Sequence, residues 1–162
     1  TGAEAGYELN IMKAVERVNN LQREAFINKI FQHFSGNVSN RKIALWGLAF
    51  KPRTDDMREA PSITIINALV DKGANISAYD PEAMKVARTV FDQKLVFANS
   101  NYNALKNAEA LVVLTEWNEF RQPNFDKMKD LMKMPVIFDG RNIYDPKTMR
   151  EKGFIYYCIG RK

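Results

Sequence analysis

The chain reads as an α/β protein: a doubly wound parallel sheet of about six strands, preceded by one long α-helix. Three features predict this. Residues 5–34 repeat apolar side chains at helical spacing without a proline. The remainder alternates short apolar runs with amphipathic segments. Those runs are apolar at successive positions rather than at every second one, as strands buried on both faces require.

The leading helix is marked by Ile11, Val15, Val18, Leu21, Ala25 and Ile30, with Leu9, Met12, Phe26 and Phe31 widening the apolar surface. At about 1.5 Å per residue it reaches roughly 45 Å, which is long for a domain of this size, so it is expected to span between bodies or to pair with another chain. SGNVSN at 35–40 ends it, and residues 1–36 and 37–162 are expected to be separate units. RKIALW (41–46), NISAY (75–79), ALVVL (110–114) and PVIF (135–138) read as buried strands, with 94–98 and 154–159 as weaker strands. Helices are expected at 61–72, with proline at a first helical position and Gly73 as terminator, and at 81–91, 101–107, 125–133 and 146–152.

With 162 residues and 46% apolar side chains, the chain can bury a sizeable core. No apolar stretch approaches the roughly 18 to 20 residues that cross a bilayer, and the amino end lacks the layout of a secretory signal, so a cytoplasmic location is expected with no membrane partner. One cysteine, Cys158, and one histidine, His33, provide neither an internal disulfide nor a zinc-ligand set, so no metal is expected. The net charge of +5 suits an anion, but the cations are spread along the sequence without a nucleic-acid stripe. A phosphorylated small molecule fits this pattern better than nucleic acid.

Ligands of an open parallel sheet bind beyond the carboxyl ends of its strands. After the first strand comes GLAFKPRTDDMREAPS (47–62), longer than the usual connection of about two to six residues. It holds a turn glycine, Lys51, Arg58 and the start of a helix at Pro61, which together could cradle phosphate. Equally, Lys51 and Arg58 could simply offset Asp55, Asp56 and Glu59. The dinucleotide glycine fingerprint is absent: Ala49 and Pro52 stand where glycines belong. DGRN (139–142) follows a strand and offers Arg141 to phosphate or carboxylate, or to Asp139 or Asp145. In TEWNEF (115–120), Trp117 could stack on a base or pack on a helix. Asp80 closes the second strand, where an acid often holds ribose, but without the glycines a turn or cap before Pro81 is favoured. Cys158 reads as a buried thiol and His33 as a helix-end residue.

Taken in order, GLAFKPRTDDMREAPS, AYDP (78–81), LTEWNEF (114–120) and FDGRN (138–142) resemble the carboxy-terminal, Rossmann-like domain of the UDP-glucose and GDP-mannose dehydrogenase family. VNNLQ (18–22) is similar to that family's central helix, which implies a homodimer through the long helix. TEW and DGRN are closer to the UDP-glucose branch. The resemblance implies a parent enzyme that oxidises UDP-glucose to UDP-glucuronate with two NAD+. By motif position it implies substrate contacts from Phe50, Lys51 and Arg141, and a cofactor contact from Arg58. The family's NAD-binding glycine motif and nucleophilic cysteine have no counterpart here, so no catalytic residue is assigned. NAD is expected to sit mainly on an amino-terminal domain, and the chain, as a piece of a longer protein, is expected to be inactive alone. Other readings are a dehydrogenase of a UDP-N-acetylhexosamine or of GDP-mannose, and a stand-alone nucleotide-binding module.

Overall fold

A computed structural model of the chain describes residues 10–161. Its first element, α1 (Asn10–His33), covers most of the expected helix, and positions 5–9 lie outside the described residues. Five parallel pairings then join β1 (Lys42–Trp46), β2 (Asn75–Tyr79), β3 (Val96–Phe97), β4 (Ala110–Val113), β5 (Val136–Asp139) and β6 (Ile155–Cys158) into one sheet of order β3-β2-β1-β4-β5-β6. The predicted α/β, Rossmann-like sheet of six parallel strands is therefore present. The order reverses between β1 and β4, which opens a crevice at their carboxyl ends.

Successive strand residues feed opposite faces. Ile43 and Leu45 of β1 join Ile76, Val112 and Phe138 under α1, α2 (Pro61–Asp71) and α3 (Met84–Phe91). Ala44 and Trp46 join Leu111, Val113 and Ile137 under α4 (Asn101–Leu105), α5 (Asn118–Arg121), α6 (Phe125–Leu131) and α7 (Pro146–Glu151). Both faces are covered, which is why β1, β4 and β5 bury successive residues.

Several boundaries differ from expectation for local reasons. Helix α3 starts at Met84 rather than 81, because the Asp80 carboxylate accepts the amides of Glu82 and Ala83 and holds the chain in a turn first. The weak strand expected at 94–98 shrinks to two residues, its first position lying in a 3₁₀ turn, Asp92–Lys94. Helices α4 and α6 stop two residues early. The short α5 was not foreseen; within it Phe120 is fully buried and stacks on Trp46.

The buried residues of α1 are confined to its last third, at Phe26, Ile27 and Ile30. Further toward its amino end Ile11, Val15 and Val18 are 80%, 51% and 56% exposed, an apolar stripe that nothing among the described residues covers. No described helix is long and apolar enough to cross a membrane.

Candidate functional site

The carboxyl ends of β1, β4 and β5 are locked to one another by small and polar residues. Gly47 leaves β1 at φ +91°, and a Cβ there would lie 2.5 Å from Cβ of Thr115, so only glycine fits. The Thr115 hydroxyl donates to the Ala49 carbonyl at 2.7 Å, and the Ser62 hydroxyl at the head of α2 donates to the Leu48 carbonyl at 2.6 Å. Both hydroxyls are buried, so the long connection is fixed at its start and its end.

Asp80 is the keystone of this region. Its Oδ2 accepts from the amides of Leu48 and Ala49, at 2.7 and 3.1 Å, and from the Trp117 indole at 3.2 Å. Its Oδ1 accepts from Glu82 and Ala83. With only 1% of the residue exposed and five donors upon it, Asp80 has no capacity left for a ribose, and the turn-and-cap role is the one realised. Trp117 is correspondingly packed and tied to Asp80, its ring unavailable to a base.

Asp139 plays the matching part at the end of β5. Fully buried, it accepts from the amides of Arg141, Ile143 and Tyr144 and from the Tyr156 hydroxyl. Asn142, at φ +54°, pairs reciprocally with the backbone of Ile159 through its side-chain amide. Asparagine tolerates that left-handed backbone better than most residues.

So held, Arg141 turns its guanidinium away from both Asp139 and Asp145. Nε donates to the Leu114 carbonyl at 2.7 Å and Nη2 to the Phe50 carbonyl at 2.8 Å. A Glu116 carboxylate oxygen lies 3.2 Å from Nε without the alignment of a hydrogen bond; the ion pair holds by charge while the N–H points at Leu114. Arg141 lines a hollow of about 300 Å³.

Arg141 and Phe50 share that hollow, Phe50 half exposed along its wall, with Leu114, Pro61 and Ile65 supplying apolar surface. Lys51 and Arg58 are not part of it. Lys51 is exposed on the side of Asp56. Arg58 clasps Asp56 through Nε and Nη2 at 3.0 and 2.8 Å, and those bonds hold the Asp56 carboxyl at about 2. Its surroundings are a separate shallow hollow beside Ile63, Val86 and Val90. Offsetting of nearby acids thus describes Arg58 in this conformation.

The sequence reading missed Asn19, Gln22 and Arg23 of α1, which close the same hollow opposite Phe50. Arg23 also donates to the Glu59 carbonyl at 3.2 Å, pinning the far end of the 47–60 connection. Their signal was available: 19, 22, 23 and 26 share one helical face. Which body that face meets is decided by the docking of Phe26 and Ile30.

Two remaining candidates are structural. Cys158 is buried, and that burial raises its thiol pKa, so it stays protonated. Burial, and secondarily Arg41, lowers the pKa of His33, whose Nδ1 meets the Tyr157 hydroxyl at 3.1 Å. Among the described residues no group of three or more His, Cys, Asp or Glu side chains could hold a metal.

A hollow at the switch point of a parallel sheet, with one arginine fork, amide side chains and an apolar wall, is suited to an anion attached to a flat or sugar ring. Residues 44–146 match the UDP binding domain of the UDP-glucose/GDP-mannose dehydrogenase family. The chain belongs to this family. A UDP-glucose 6-dehydrogenase of Pseudomonas aeruginosa is 44% identical over 96% of the chain and 36% of its own length; that of Rhizobium meliloti is 42% identical over 94% and 35%. A solved UDP-glucose dehydrogenase from the hyperthermophilic archaeon Pyrobaculum islandicum superposes with a TM-score of 0.79 at 29% identity, covering 96% of this chain and 33% of that one. The chain therefore spans about a third of the length of its relatives. Within this family setting, the hollow that Phe50 and Arg141 share is the candidate nucleotide-sugar site.

Proposed function

We propose that the chain supplies the UDP-binding side of the cleft in an NAD-dependent UDP-glucose 6-dehydrogenase, an enzyme converting UDP-glucose, two NAD+ and water to UDP-glucuronate and two NADH. The single observation that carries this reading is Arg141. Its guanidinium is fixed by two backbone carbonyls at the rim of a switch-point hollow, in a family whose matching domain binds UDP. Preorganised in this way, the fork loses little freedom when it meets a phosphate.

Phe50 offers the ring wall beside it, and Lys51, one residue on, extends from the same loop toward solvent, where it would meet a sugar or phosphate entering from outside. NAD does not fit this chain's own crevice: the glycine fingerprint is absent, and Asp80, the position that would hold ribose, is consumed by five protein donors. The cofactor is accordingly assigned to parts of the protein outside this chain, with Arg58 reaching toward it after release from Asp56. The exposed stripe of α1 supports an apolar partner surface, either the remainder of the enzyme or a second copy in a homodimer.

Calorimetric titration of UDP into the chain and into Arg141→Ala tests the assignment. Loss of a charge-assisted fork is expected to weaken binding about 10- to 100-fold with the circular dichroism unchanged. Equal affinity in the variant would overturn it. GDP titrated in parallel separates the UDP readings from a GDP-mannose enzyme.

A further inference from the structure

A second concave site, sharing no lining residue with the hollow at Arg141, lies along the outer edge of the sheet. Strand β6 is the last of the six, and its outer edge borders a hollow of about 430 Å³. Three cations from three separate elements converge there: Lys29 of α1, Arg150 of α7, and Arg161 beyond β6. They are far apart in sequence, which is why the chain shows no basic stripe.

None of these three cations is held in an ion pair with a described carboxylate. Arg141, in the other hollow, is by contrast paired with Glu116. Among the described residues none of Lys29, Arg150 and Arg161 lies within 4 Å of a carboxylate, and no acid lines the hollow. Asp145, close enough to Arg161 to feel its charge, is spent as the cap of α7, accepting from the Thr148 amide and hydroxyl at 2.8 Å each.

The hollow is also built rather than merely charged. Lys29, which lines the hollow, is anchored by donating to the Cys158 carbonyl at 2.6 Å. The Tyr157 ring, stacked on Phe138 at an interplanar angle of 8°, makes a rigid wall. A concavity lined by one sign of charge concentrates its field, and its volume lies in the range of small-molecule sites.

We propose that this hollow is a second anion site, taking a small phosphate ester or diphosphate, and separate from the hollow at Arg141. The probe is inorganic pyrophosphate at fixed ionic strength, followed by amide NMR shifts in the chain, in Arg150→Gln/Arg161→Gln and in Arg141→Ala. Both arginines of the double variant are exposed, so its fold is expected to persist. Saturable shifts are expected at Lys29, Arg150 and Tyr157, weakened about tenfold or more in the double variant and unchanged in Arg141→Ala. The proposal is overturned if those amides do not saturate, if the double variant binds as tightly as the parent, or if Arg141→Ala abolishes the shifts.

Discussion

Replacing Asp80 by asparagine conserves shape while removing one acceptor oxygen and the charge. The amide must choose an orientation. Directed at Oδ2 it would confront three buried donors, from Leu48, Ala49 and Trp117; directed at Oδ1 it confronts two, from Glu82 and the buried Ala83. The second orientation costs less. Two hydrogen bonds to a charged acceptor are then lost, at about 1.5 to 3 kcal/mol each, and three others weaken from charge-assisted to neutral. Some of this is recovered because Glu82 is exposed and its amide can be hydrated. The net expectation is a destabilisation of about 3 to 5 kcal/mol, a large share of the roughly 5 to 15 kcal/mol available to a domain. Urea unfolding monitored through Trp46 and Trp117 fluorescence gives the difference directly, provided the slope is unchanged. As a reference, Asp145→Asn, at the exposed cap of α7, keeps an acceptor for Thr148 and should leave the urea midpoint almost unchanged. If Asp80→Asn cost no more than that reference, the keystone argument would be wrong, and Asp80 would be free for a ligand after all.

Gly47→Ala places a methyl group against Thr115 on a left-handed backbone, and is expected to destabilise by about 2 to 4 kcal/mol; an unchanged urea midpoint would show that β1 and β4 are not locked together there. His33 is the only histidine, so its imidazole signal can be followed in an NMR titration, and its midpoint should fall below 6.5. With the folded value depressed, the unfolded chain binds the proton more readily, so stability is full above pH 6.5 and declines as pH falls through the folded midpoint. A midpoint above 6.5 would refute the burial argument.

Much of the architecture was readable from short-range pattern. IALW (43–46) and ALVV are apolar at every step, and such runs satisfy only strands covered on both faces, so the parallel sheet followed. Pro61 and Gly73 bracketed α2 because their backbone preferences are intrinsic. Where the pattern failed, a tertiary hydrogen bond had intervened. Asp80 delays α3, and Phe120 closes a hydrophobic face that only exists once β1 is in place.

The site divides along the same line. Arg141 could be nominated from its place after a strand, since strand ends are where parallel sheets expose their crevice. Whether a cation then serves the crevice depends on partners that sequence order does not reveal. Arg58 takes an acid two residues away, whereas Arg141 takes a carbonyl 91 residues away and is thereby aimed at the hollow. Arg23 reaches the hollow only because Phe26 and Ile30 seat α1 on the sheet. Lys29, Arg150 and Arg161 converge only because β6 brings its edge to α1 and α7. Local preference and periodicity thus determined the elements and their order. The grouping of charge, which depends on long-range contacts and on the rotamers they select, was decided by the tertiary structure.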